Sequence, residues 1–241
     1  MKIAQALIRR IKFHIRRPTP PKHPFRFTGP VVVVGSAPSS SVPSGFDNSF
    51  RVISINGSQT VSKKWGREKP DVTFMTTKQI RGTNTNAVSV RSVVKGQATT
   101  LLYITLWDGT PGELKTAIEP LEYGYEDLRI LSRMQRMALH HQVLGKINLE
   151  LRAEERFSNG ITGVLYALTN GAPAVIISGV NPGSSGHIYN DANLRRQHSQ
   201  TDLDILRTLV ADGWPVFTAD EEVSKATGIP IWKALKKKRN I

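Results

Sequence analysis

The side chains able to do chemistry are few and scattered. His198 stands immediately before an amphipathic segment, "SQTDLDILRTL". Its imidazole, with an ordinary pKa near 6.5, can take a proton at neutral pH. Asp202 and Asp204 follow it as an Asp-x-Asp pair. A metal would need both carboxylates on one side. Residues two apart on a helix face different sides, and acids in a first turn favour the helix dipole. No metal is therefore assigned to them. Small, hydroxyl and amide residues cluster at Gly35–Ser39, Asn56–Ser58 and Thr76–Thr77. Each cluster follows a β-branched run and would let a nucleotide approach the backbone. Ser158-Asn159-Gly160 opens a further apolar segment, whose first N–H groups would suit a phosphate. His140 and His141 lie among apolar residues and read as structural.

Several chemistries are excluded. With no cysteine there is no disulfide, thiolate nucleophile or cysteine-ligated metal. The chain has no Gly-x-Gly-x-x-Gly fingerprint, P-loop, Gly-x-Ser-x-Gly elbow or His-Glu-x-x-His pair.

The elements that must position these groups alternate. "VVVVGSAPSS" is a strand buried on both faces and ended by a tight turn. "FRVISING" (50–57), "KPDVTFMTT" (69–77), "ATTLLYITLW" (98–107), "PAVIISGV" (173–180) and "WPVFTA" supply further strands. One or two helices are expected over 124–155, one over 159–172 and one over "TDLDILRTLVADG". Strands alternating with helices predict an α/β fold, a Rossmann-like and mainly parallel sheet flanked by helices. In such sheets ligands bind outside the carboxyl ends of the strands, where the three loops above fall together.

The net charge of +14 is localised. Residues 1–28 carry eight Lys or Arg and residues 232–241 five more, with no acid in either stretch. The middle is therefore nearly neutral, and nucleic acid is not expected as a partner. A tail-driven nucleic-acid binder is the reading that this charge would support by itself. Residues 1–17 have helical spacing, with Ile3, Leu7, Ile8, Ile11 and Ile15 on one face and Arg9, Arg10, Lys12, Arg16 and Arg17 around it. That pattern fits a basic amphipathic helix on an anionic membrane surface, or one packed against its own domain or a partner. The apolar run is too short and interrupted to span a bilayer. The expected organisation is a surface helix over 1–17, a linker with five prolines over 18–30, the main α/β domain over 31–230 and a basic tail over 231–241. A cytoplasmic protein peripheral to the inner face of the membrane follows, with both basic ends touching lipid. Self-association as a homo-oligomer is left open.

The order "VVVVGSAPSS … RVISIN … VTFMT … RFSNGITGVLYALTNGAPAVIISGVN … RQHSQTDLDILRTL" resembles the bacterial sialyltransferases of glycosyltransferase family 42, and more distantly those of family 29. The first-strand turn of that family matches Gly35-Ser36-Ala37-Pro38-Ser39, and its second-strand end matches Ser54-Ile55-Asn56. Its helix-opening turn matches Ser158-Asn159-Gly160, and its late strand end matches Ile177-Ser178-Gly179-Val180-Asn181. Its histidine segment matches Gln197-His198-Ser199. Ser36 and Thr76 depart from the family's asparagines.

The resemblance covers roughly residues 31–220 and implies a GT-A-like variant of the Rossmann sheet. It also implies an inverting, metal-independent transfer of an acidic sugar from CMP to a glycan or glycolipid acceptor, with no cofactor. The sugar would be sialic acid or 3-deoxy-manno-octulosonic acid. His198 would be the general base, and Tyr189, with His187 close by, would assist the departing phosphate. Gly35, Ser36, Ala37, Pro38, Ser39, Asn56, Thr76, Ser158, Asn159, Gly160, Gly179 and Asn181 would contact the nucleotide. The competing reading is a non-catalytic, nucleotide-binding component of a polysaccharide biosynthesis or export system.

Overall fold

Four consecutive valines with no exposed surface can only be a strand covered on both faces, and β1 (Val31–Val34) is that strand. In the computed structural model, which describes residues 2–190 and 198–234, β1 lies inside a seven-stranded sheet. The other strands are β2 (Arg51–Ile55), β3 (Val72–Thr76), β4 (Ala98–Thr105), β5 (Gly124–Leu131), β6 (Val175–Ser178) and β7 (Val216–Thr218). Between or after them stand the helices α2 (Gln59–Lys64), α3 (Thr77–Arg81), α4 (Thr85–Val94), α5 (Pro111–Ile118) and α9 (Glu221–Thr227). The strand order is β5-β4-β3-β2-β1-β6-β7, and every neighbouring pair is parallel. The chain thus steps outward from β1 to β5 and returns on the other side as β6. The crevice between β1 and β6 is the topological switch point of the sheet.

Period-2 alternation divides the core. Val31 and Val33 join Ile53, Phe74 and Tyr103 beneath α7 (Asn159–Thr169), while Val32 and Val34 pack with Val52 and Val61 on the opposite face. Every residue of α7 from Asn159 to Leu168 is buried. Gly163 lets α7 lie directly on the sheet, since a Cβ there would stand 2.9 Å from Val33 Cγ1. Two further helices flank α7. α6 (Arg133–Leu144) brings Leu139 and Val143 to the same core, and α8 (Ser199–Ala211) brings Leu206 and Leu209. α1 (Lys2–Arg16) docks on α6 through Phe13, which packs with Met137 and Ala138.

The structure corrects the helical expectation over 124–155. Gly124–Leu131 is the edge strand β5, and only Arg133–Leu144 is helical. The charged residues of "GYEDLRIL" suit an edge, where charge discourages further pairing. Asp127 pairs with Arg129 there, and Glu126 with Lys69. The boundary is set by a capping box in which the Ser132 hydroxyl accepts from Gln135 N at 3.3 Å and Gln135 Oε1 accepts from Ser132 N at 3.0 Å.

Residues 18–30 lie against the domain instead of hanging free of it. Asn170, just past α7, accepts from the His23 amide at 2.8 Å and donates to the Pro21 carbonyl at 3.2 Å. Phe27 is 2% exposed and meets the Tyr166 ring edge-on. Most of the basic C-terminal tail, residues 235–241, lies outside the described residues, as does Gln197.

Candidate active site

A cavity of about 670 Å³ opens at the carboxyl ends of the strands, beside the switch point. Its floor is made by two glycines that cannot be anything larger. A Cβ on Gly35 would stand 2.2 Å from the Gly179 carbonyl oxygen. Gly179 has a φ of +66°, and its Cβ would meet Ser40 Oγ at 2.3 Å. The loop after β1 is sewn to β6 by Gly35 N donating to Ser178 O (2.7 Å) and Ala37 N to Gly179 O (2.9 Å). Behind them sits Asp220, buried, accepting from Gly179 N and Ser41 N at 2.7 Å each. Burial pushes its pKa up, and those two amide bonds work against that shift.

The start of α7 forms a further part of the wall. The Ser158 hydroxyl accepts from Ile161 N at 3.3 Å, and Ser158 N donates to Asp202 Oδ1 at 2.8 Å. The first-turn N–H groups of Asn159 and Gly160 have no carbonyl within the helix to meet, so they can serve an anion. Asn159 Oδ1 accepts from Thr105 Oγ1 at 3.2 Å, while its Nδ2 is buried without a protein partner among the described residues. Asn56 lines the cavity with φ +53°, and its Oδ1 is likewise buried and unpartnered. Two amide groups with unused hydrogen-bonding capacity therefore border the same space, which suits a polar ligand.

His198 lies at the start of α8 on this cavity. Burial is the largest cause that lowers its pKa from the ordinary 6.5. The Ala153 backbone opposes that shift, Arg136 adds to it, and Glu150 partly offsets it. A lowered pKa favours the neutral imidazole, the form that can accept a proton. The two aspartates that follow diverge. Asp202 is buried and braces Ser158, whereas Asp204 turns outward to accept from Gln200 at 2.7 Å. Among the described residues no group of three or more His, Asp or Glu side chains could hold a metal ion.

Of the residues singled out in the sequence, Gly35, Ser36, Asn56, Thr76, Thr77, Ser158, Asn159, Gly160, Gly179, His198 and Asp202 line the one cavity. Ala37, Pro38, Ser39, Asn181 and Tyr189 lie off its wall. The loop turns away at Ala37, so Ser39 ends up hydrogen-bonded to Glu222 at 3.3 Å. Asn181 closes its own turn by accepting from Gly183 N at 2.9 Å. Tyr189 stacks on His187 at 5.2 Å, and it is His187 that reaches the cavity, bonded to Ser36 Oγ at 2.7 Å.

Sequence reasoning missed the cationic side. Arg133, Arg136 and Arg156 line the cavity, with Lys78. Arg136 is the hub of that side. Its Nε and Nη2 lie 2.9 and 2.8 Å from Glu150 Oε1, Nη2 donates to Phe157 O at 2.6 Å, and Nη1 donates to Thr162 Oγ1 at 2.5 Å. Arg133 holds the other oxygen of Glu150 at 3.1 Å. The only available signal was an arginine at the first and fourth positions after a capping serine, which place two cations on one face of a helix.

No protein family and no curated protein matches the chain by sequence. Solved structures match by fold. Sialyltransferase CstII in complex with a trisaccharide acceptor and CMP is 14% identical, with a TM-score of 0.52 over 85% of this chain and 86% of that one. CstII from Campylobacter jejuni in complex with CMP-3FNeuAc is 15% identical, with a TM-score of 0.51 over 86% of each chain. The monofunctional α-2,3-sialyltransferase Cst-I from Campylobacter jejuni is 12% identical, with a TM-score of 0.51 over 85% of this chain and 80% of that one. The chain therefore shares the α/β fold that its motif order implied, with a sheet that is parallel throughout.

Proposed function

We propose that the protein transfers an acidic sugar, sialic acid or 3-deoxy-manno-octulosonic acid, from its CMP-activated form to a hydroxyl of a glycan or glycolipid. One observation carries this reading. A part-buried histidine and the first-turn amides of α7 border one cavity at the switch point of the sheet. The known ligands of the structural relatives, CMP and CMP-3FNeuAc, have the chemistry such a cavity would take.

In this reading, a neutral imidazole nitrogen of His198 removes the acceptor hydroxyl proton as the oxygen forms a bond to the anomeric carbon. The bond from that carbon to the phosphate oxygen breaks at the same time. Its electron pair leaves with CMP, and attack opposite the leaving group inverts the centre. The charge gathering on the phosphate meets the amides of Asn159 and Gly160, which are already oriented and need no reorganisation. Arg133, Arg156 and Lys78 give the donor's phosphate and carboxylate a positive surround. Arg136 is committed to Glu150 and acts by holding the turn before α7. Metal independence belongs to the same reading, so the transfer assay is run in excess EDTA.

The test is a thermal-shift panel of CMP, CDP, UDP and GDP. At a hundredfold excess over Kd, CMP is expected to stabilise the fold by about 2.7 kcal/mol. For a chain of this size that corresponds to roughly 5–10 °C in Tm. Stabilisation by UDP or GDP with none by CMP overturns the donor assignment.

A further inference from the structure

α1 keeps its most apolar face away from the domain. Ile3, Leu7, Ile8, Ile11 and Ile15 are 87, 57, 51, 46 and 75% exposed, five of the nine large apolar side chains exposed among the described residues. The contact with the domain is made from the other side of the helix. Phe13 is buried against Met137 and Ala138, with its ring edge-on to His141 at 5.7 Å. Arg9 donates to the carbonyls of Leu149 and Glu150, the latter at 3.0 Å. At about 100° per residue, Arg9 and Phe13 point opposite to the Leu7–Ile11–Ile15 row. An ordinary surface helix turns its apolar stripe to the core. Here the domain holds that stripe outward.

The charges decide what covers it. Lys2, Arg9, Arg10, Lys12 and Arg16 lie on α1, and no acid occurs in the first 28 residues. Arg10 and Lys12 are exposed, one on each flank of the stripe. A second copy laid on this face would set two such basic rims against each other, whereas an anionic lipid surface would neutralise them. Among the described residues no helix is long and apolar enough to cross a membrane, which leaves the interfacial arrangement.

We propose that α1 seats the protein on an anionic phospholipid bilayer, its isoleucine–leucine stripe among the acyl chains and Arg10 and Lys12 at the headgroups. α1 is then a rigid float and not a tether. Glu150, whose carbonyl accepts from Arg9, holds with its carboxylate two arginines of the cavity wall. The docked surface and the cavity are thus one residue apart. If the transfer reading holds, an acceptor anchored in the same bilayer is presented beside the cavity; the docking itself does not depend on that reading.

The experiment is co-sedimentation of the full chain with vesicles of phosphatidylcholine containing phosphatidylglycerol, against pure phosphatidylcholine. Binding is expected to the anionic vesicles and to weaken with salt. Leu7→Asp/Ile11→Asp changes two exposed side chains, so its Tm is expected to stay unchanged while binding falls by at least about tenfold. An Ile8→Trp variant should show a blue-shifted emission on the same vesicles. Three results overturn the proposal: no binding by the parent chain, equal binding by the double variant, or a dimer that the double variant dissolves.

Discussion

Arg136→Met tests whether the cavity wall is built as described. The side chain is 2% exposed and Glu150 is fully buried, so methionine keeps the apolar stem but strands a carboxylate. Arg133 remains on one oxygen of Glu150, at 3.1 Å and 29% exposed, while Phe157 O and Thr162 Oγ1 lose the donors that Arg136 supplied. Removing one partner of a buried pair costs about 3–5 kcal/mol. At 2–4 °C per kcal/mol for a chain of this length, Tm is expected to fall by roughly 6–20 °C. Glu150→Gln in the same chain removes the stranded charge and should recover part of the loss, giving a coupling energy of about 1–3 kcal/mol in a urea-denaturation cycle. The turn before α7 loses its clamp in the single variant, so the CMP-induced shift should shrink as well. A loss below about 1 kcal/mol, or a double variant that loses the sum of the singles, refutes the hub.

Two other substitutions probe the base and the floor of the cavity. His198→Ala should lower transfer by at least about 10²-fold and leave the CMP-induced thermal shift in place. In the parent, neutral imidazole is the active form and burial lowers its pKa, so kcat/KM should hold through neutral pH and fall only below 6.5. A variant within tenfold of the parent, or an acid limb above 6.5, counts against His198 as base. Gly35→Ala forces a Cβ to 2.2 Å from the Gly179 carbonyl oxygen, backbone against backbone. Such overpacking should cost about 1–3 kcal/mol and abolish the CMP shift. Gly112→Ala, whose Cβ meets nothing closer than 4.0 Å, is the control and should keep the CMP shift with no loss of stability.

The arrangement has a division of labour that follows from burial. His198 and the start of α7 border the cavity, and the loops around them are braced by two buried carboxylates, Asp202 on the cavity wall and Asp220 behind it. Asp220 holds the loop after β1 and the turn after β6 with two amide bonds, and it comes from a segment 41 residues beyond Gly179. Asp202 ties α8 to α7 through Ser158 N, so one carboxylate links the helix that carries His198 to the first-turn amides of α7. Substituting such braces should disturb binding and turnover together, because they set geometry for both.

What the sequence determines by itself is whatever a local pattern encodes. Val31–Val34 can only be a two-sided strand, Gly35 and Ser158-Asn159-Gly160 mark a strand end and a helix start, and Ile3, Leu7, Ile11 and Ile15 fall on one helical face. These need only side-chain periodicity and the chemistry of neighbouring residues. The order of the turns also carried the fold. Other features were decided by tertiary structure. β5 is a strand because β4 offers seven paired positions at the sheet edge, although its own charged residues allowed a helix. Asp202 and Asp204 are alike in sequence, and only the packing of α8 on α7 gives one a buried amide and the other solvent. The stripe on α1 was legible, but whether it faced the core depended on Phe13 finding α6. The convergence of Arg133, Arg136 and Arg156 on one cavity required α6 and the turn before α7 to meet across Glu150. Each of these depends on contacts between residues far apart in the chain, which local propensity does not encode.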